Sequence, residues 1–158
     1  MKKVLAFLLV VSVILSMGVT AFAAGSPKPP QPKENIPAGL GIYNENDKRI
    51  ATVPAKDVLK LNVGGADKLD AADKDKFLAA YEEAKNTEGK TVRHFFWLDV
   101  PEEYKTMDGF AYAKYYFGSR GQNITVTVNG NPMEVVKLGH GAYYAKLTEF
   151  GVVSIVSD

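Results

Sequence analysis

The 158-residue chain has no cysteine, one tryptophan and two histidines. Without cysteine there is no thiol nucleophile, no thiolate metal site and no disulfide, so a folded form rests on its apolar core. An excess of charge is also missing: nineteen Lys and Arg stand against eighteen Asp and Glu. Such a balance gives no electrostatic case for binding nucleic acid or anionic lipid. The histidines, at positions 94 and 140, belong to no ligand pair of the HExxH kind, and no zinc or other metal site is expected. Apolar runs of spanning length are lacking beyond the N-terminus, so no membrane insertion is expected after that segment is removed.

What is present begins with that N-terminus. Lys2 and Lys3 precede an apolar run over residues 4–15 broken only by Ser12, and Ala21-Phe22-Ala23 follows. This is the pattern of a secretory signal peptide, residues 1–23, cut after Ala23. Its removal takes two lysines and no acid, turning a formal charge of +1 into −1. Residues 24–38 form a linker: "GSPKPPQPKENIP" holds five of the eight prolines and favours extended polyproline geometry. The mature chain is expected to be extracellular, at or near a cell envelope.

Residues 39–158 are expected to form one domain. "LGIY", "RIATV" and "DVLKLNV" are short strand candidates, separated by turn chemistry at residues 44–47 and closed by Gly64-Gly65. One helix is expected over 70–87. Asp70 is a good N-cap, Asp73 sits in the positive first turn, and Phe77, Leu78, Tyr81 and Ala84 share a stripe. "TVRHFFWLDV" follows, then a bend at "PEEY", then "FAYAKYYF". "NITVTVNGNPMEVVKL" turns at Asn129-Gly130, a dipeptide suited to a primed hairpin. "AYYAKLT" and "FGVVSIVSD" complete the run. Short strands joined by Gly and Asn turns predict a mainly β fold: an immunoglobulin-like antiparallel β-sandwich with one packed α-helix, the alternative being an α+β two-layer sandwich.

The strand "TVRHFFWLDV" poses the central question. Val92, His94, Phe96 and Leu98 fall on one face, and Arg93, Phe95 and Trp97 on the other. A strand apolar on both faces is either buried on two sides or holds an aromatic platform out to a ligand.

The C-terminal stretch "TVTVNGNPMEVVKLGHGAYYAKLTEFGVVSIV" resembles the closing hairpins of immunoglobulin-like modules in secreted Gram-positive surface proteins. The shared pattern is "YxAxLTxF" stepping into a last strand, here Tyr144, Leu147, Thr148, Phe150 and Gly151. "FLAAYEEAK" followed by "FFWLDVPEEY" and these hairpins is similar to uncharacterised secreted proteins of anaerobic Gram-positive bacteria, over roughly residues 40–157. The resemblance implies an architecture and no activity.

Catalysis finds no constellation. Ser119, His140 and Asp108 make no nucleophile elbow, because in "FGSRG" the glycine sits one residue before the serine and not two. Asp67, Asp70, Asp73 and Asp75 cluster without the spacing or central glycine of a calcium loop. Asn123-Ile124-Thr125 matches a glycosylation sequon and is assigned to strand entry. The sharpest binding candidates are aromatic: Trp97, Tyr104, Tyr112, Tyr116 and Tyr144, whose rings suit the C–H face of a sugar and whose phenols suit its hydroxyls. The reading is a non-enzymatic extracellular interaction or structural module without cofactor, its partner an unknown extracellular protein or glycan. Carbohydrate binding through exposed aromatics is the alternative.

Overall fold

The computed structural model describes residues 39–158. The expected signal peptide and linker lie outside the described residues. Nine strands form among the described residues, most of them where apolar and polar residues alternate between turn residues: β1 (Gly39–Tyr43), β2 (Arg49–Pro54), β3 (Leu59–Leu61), β4 (Thr91–Asp99), β5 (Tyr112–Gly118), β6 (Thr125–Val128), β7 (Asn131–Gly139), β8 (Ala142–Leu147) and β9 (Gly151–Ser157). They make one curled antiparallel sheet in the order β2-β1-β5-β8-β7-β6-β9-β4-β3. The fold is mainly β.

The curl turns on β7. Its residues 131–133 pair with β6, whereas residues 134–139 pair with β8. One half of the sheet therefore folds over the other, and the inner side chains of both enter one core. Leu40, Ile42, Ala113, Phe117, Ala145 and Leu147 come from the β1-β5-β8 half. Phe96, Leu98, Val126, Val128, Val153 and Ile155 come from the β6-β9-β4 half. Phe96 and Tyr115 meet across the gap with ring centroids 5.0 Å apart.

The helix α1 (Ala71–Lys85) starts at Asp70, whose Oδ1 accepts the Asp73 N–H at 2.9 Å. At its other end the Asn86 amide donates to the Glu82 carbonyl at 2.8 Å. The expected stripe is the buried one: Phe77 is fully buried, and Leu78, Tyr81 and Ala84 are half-buried. It lies on the outer face of β4 and β9 and forms a second cluster of Leu61, Ala66, Phe77, Trp97 and Val152. Phe77 stacks on Phe95 at 5.3 Å and meets Trp97 edge-on at 6.2 Å. This resolves the doubly apolar β4: its inner face feeds the main core and its outer face lies under α1.

Three local expectations need correction. "DVLKLNV" is strand only over β3, because the Asn62 side chain accepts the Gly65 N–H at 3.1 Å and starts a 3-10 helix over Val63–Lys68. Leu61 pairs with Trp97 and joins the second cluster, while Lys60 pairs with Leu98 on the core side. Lys60 escapes burial at this sheet edge by extending over Phe96, 4.4 Å from its centroid, to donate to the Tyr115 hydroxyl at 2.6 Å. "PEEY" is a helical turn, α2 (Glu102–Lys105), and not a bend. β5 starts at Tyr112 and not at Phe110.

The expected Asn129-Gly130 turn is present, with φ of 51° and 86°, the left-handed pair a primed turn requires. Asn129 does more than turn the chain. Its amide donates to the Phe150 carbonyl at 2.9 Å and its oxygen accepts the Val152 N–H at 3.1 Å. Between them Gly151 adopts φ 135°, and a Cβ there would lie 2.2 Å from the Asn129 oxygen. The Phe-Gly step entering β9 is thus a glycine held in a clamp.

Candidate functional site

The five aromatic candidates do not share one surface. Trp97 is 7% exposed beneath α1, on the outer face of β4. Tyr104 is half-buried on α2 and packs against the main core. Tyr112, Tyr116 and Tyr144 do share a face, the outer side of β5 and β8, opposite the core. Tyr112 is nevertheless only 6% exposed: one side of its ring stacks on Tyr43 at 5.5 Å, and the Lys146 ammonium sits 5.1 Å from its centroid. Trp97 and Tyr112 therefore leave the set of ligand-stacking candidates, since neither offers a free ring face. Tyr104 stands apart on α2, and Tyr116 and Tyr144 remain together, half-buried, paired across the strands with centroids 5.6 Å apart.

Antiparallel register builds this face. Tyr112, Lys114 and Tyr116 alternate outward on β5, and Tyr144 and Lys146 do so on β8. Tyr43 joins them from β1, directly opposite Tyr112. Lys114 and Lys146 are cross-strand partners, an arrangement that like charges disfavour. Rings and carboxylates offset it. The Lys114 ammonium lies 4.2 Å from the Tyr43 centroid and 4.9 Å from that of Tyr144. Lys146 reaches Glu134 at 3.1 Å and Asp47 at 3.8 Å.

The charges on this face follow from those contacts. The Tyr112 hydroxyl donates to Asp47. That hydrogen bond holds the Asp47 carboxyl below its usual range, helped by Lys146 and Lys114 against some desolvation. Burial first, and then Asp47, push the Tyr112 phenol above the usual tyrosine range. The Glu134 hydrogen bond holds Lys146 above the usual lysine range. The face is a lattice of phenols interleaved with ammonium and carboxylate groups. It can offer hydrogen-bond donors, acceptors and two half-open rings. The second apolar cluster lies on the other outer face, and this one has no counterpart among the described residues.

A different group of residues meets at the end of the sheet where β5 turns into β6 and β7 into β8. Arg93, His94, Ser119, Arg120 and His140 line an open cleft of about 420 Å³, with Gly118 and Gly141 in its floor. Two turns form it. Ser119 donates its N–H to the Gly141 carbonyl at 2.8 Å. Gly141 has φ 78°, and a Cβ on it would lie 2.8 Å from the Ser119 carbonyl oxygen, so the close approach needs glycine. The Arg93 Nε donates to the Ser157 hydroxyl at 2.6 Å, and the His94 Nε2 donates to the Gly118 carbonyl at 3.0 Å.

The weighed triad is not assembled. Ser119 and His140 share the cleft, but Asp108 precedes β5 and Ser119 follows it, a separation of about 20 Å at the ordinary strand rise. The clustered aspartates have separate tasks: Asp70 caps α1 and Asp67 pairs with Lys74. Asn123 of the sequon has φ 48° and donates its amide to Asp158, just before β6 begins.

Sequence reasoning missed the cationic half of the tyrosine face. The signal was there: "YAKYY" and "YYAKL" both carry Tyr-x-Lys, which a strand places on one side. The cleft had a fainter signal. "GSRG" and "GHG" become neighbours only once β5 pairs with β8 so that Gly118 faces Ala142. Compared with known proteins, the chain matches no family profile, no curated protein and no solved structure.

Proposed function

We propose that this chain is a secreted, non-enzymatic interaction module at a cell envelope, built on an immunoglobulin-like variant of the curled sheet, and that it meets its partner through the tyrosine–lysine face of β1, β5 and β8. One observation carries this: register sets the half-accessible rings of Tyr116 and Tyr144 beside Lys146 on a sheet face that adds nothing to either apolar cluster, with Tyr43, Tyr112 and Lys114 buried beneath as their support. Tyrosine is enriched in contact surfaces, where large amphipathic rings add area at low conformational cost. The immunoglobulin-like reading draws support from the facing halves and the out-of-sequence neighbours β1–β5, β6–β9 and β4–β9.

Carbohydrate is the partner class that Tyr116 and Tyr144 favour, because this pair keeps its rings half-accessible and 5.6 Å apart. The test is direct. Residues 24–158 are titrated with a glycan array and with purified envelope polysaccharide, beside Tyr144→Ala and Tyr116→Ala. Binding that both variants weaken about tenfold, while each still unfolds in a single cooperative transition, supports the glycan reading at the scale of one lost ring contact. Binding indifferent to both substitutions removes this face from the account.

A further inference from the structure

We propose that the cleft between Arg93, Ser119, Arg120 and His140 is an oxyanion site for a phosphate group. Four cationic or imidazole side chains converge there: both histidines of the chain and two of its three arginines. They arrive from separate places in the sequence, β4, the turn after β5 and the turn between β7 and β8. None of the lining residues is acidic, in a chain whose acids nearly equal its bases.

The contrast with the lysines is informative. Lys74, Lys85, Lys90, Lys105 and Lys146 each pair with a carboxylate. Arg93, Arg120, His94 and His140 form no salt bridge among the described residues. The contacts of Arg93 and His94 are to neutral groups, which orient these two side chains without an ion pair. Ser157 takes the Arg93 Nε and so fixes the plane of the guanidinium. The two terminal nitrogens remain as the fork that matches two oxygens of a tetrahedral anion. Because the Gly118 carbonyl can only accept, it assigns the His94 proton to Nε2. The Ser119 hydroxyl oxygen accepts the Gly121 N–H at 3.2 Å, which leaves its own proton to donate. Donors in a cleft with no acid in its lining favour an anion over a cation or a neutral hydroxyl compound, and the neighbouring acidic residue, Asp158, is engaged by Lys90 and by the Ser157 hydroxyl. Two guanidinium groups in the lining of one cleft favour a doubly charged phosphate over a carboxylate. A cleft of about 420 Å³ has room for the ester group a phosphate carries.

The site is independent of the tyrosine face, and either can fail alone. Its test uses residues 24–158, isotopically labelled, titrated in low salt with inorganic phosphate, glycerol phosphate and acetate. The expected result is saturable movement of the Ser119, Arg120, His140 and Gly141 amides with a Kd of about 1 mM for phosphate, and weaker movement with acetate. Arg120→Gln, a change at an exposed residue, is expected to weaken phosphate about tenfold, and Arg120→Gln with His140→Asn to abolish saturation. Unmoved amides of Val153 and Ile155 show that the fold is kept. Sedimentation with phosphatidic acid vesicles separates the sources: co-sedimentation lost in the double variant assigns a lipid headgroup, and glycerol phosphate binding without co-sedimentation assigns a soluble or polymeric ester. No saturable movement with either phosphate compound overturns the proposal, as does Arg120→Gln binding phosphate as well as the parent.

Discussion

On the outer face of β4 and β9, Trp97 and Phe95 lie under Phe77 of α1; on the outer face of β5 and β8, Tyr112 and Tyr144 lie among lysines. Both faces are aromatic and both point away from the main core. They differ in what meets the ring. On the first, a helix removes water from carbon, so the rings stabilise the fold by burial. On the second, cations and carboxylates occupy the rings, so much of the same aromatic area is held by contacts that also exist in water and are weak there. Aromatic content alone therefore does not mark a binding surface.

The comparison is broken most directly by truncating one ring on each side. Phe77→Ala is expected to cost about 3–5 kcal/mol in urea unfolding, since a fully buried ring leaves a cavity between Phe95 and Trp97. The native fluorescence of the single tryptophan should shift to the red as water reaches it. Tyr144→Ala is expected to cost about 1 kcal/mol, because its ring is half-buried and contacts Tyr116 and Lys114. Equal losses from the two substitutions would mean that both faces serve the fold alike.

How much of this was legible beforehand follows from the range of the interactions. Local chemistry was readable: the Asp70 cap, the Phe77 stripe and the left-handed Asn129-Gly130 pair are set by a few neighbouring residues. Strand existence was readable from alternation, but the destination of each face was not. Leu61 went under the helix and Lys60 toward the core because β3 pairs with β4 in a register that no local signal encodes. The doubly apolar β4 allowed two readings, and packing by α1 decided between them. The site was legible only in part. Tyr112, Tyr116 and Tyr144 share a face as strand geometry requires, whereas Tyr43 opposite Tyr112 depends on pairing between β1 and β5. The arginine cleft depends on two turns meeting across β5 and β8, so it too is a product of register.

A mid-sized effect sharpens the comparison at the join between the two halves. Asn129→Ala removes the acceptor of the Val152 N–H and the donor to the Phe150 carbonyl, with β9 shared by core and helix. The expected cost is about 2 kcal/mol, the scale of unsatisfied, partly buried backbone groups. It should appear in both apolar clusters at once. Hydrogen exchange should quicken at Val152 under α1 and at Val153 in the main core together. Acceleration confined to one cluster would show that the faces unfold separately.

The smallest effect is electrostatic and occurs once on each face. Asp47 on the tyrosine side is held below the usual carboxyl range chiefly by the Tyr112 hydrogen bond, and Asp67 on the helix side chiefly by that from Lys74. A carboxyl that binds its proton less readily folded than unfolded adds stability above its unfolded pKa, here 3.8, and loses it as pH falls through the lower folded value. Both groups are exposed, so screening keeps each contribution small. Tyr112→Phe should move the Asp47 titration, followed by carboxyl NMR, up toward 3.8 and leave Asp67 alone; Lys74→Met should do the converse. In each variant, stability at pH 7 should fall slightly and acid unfolding should lose part of its pH dependence below pH 3.8. Crossed effects, with Tyr112→Phe moving Asp67, would mean that the two faces are coupled through the core and do not act as separate surfaces.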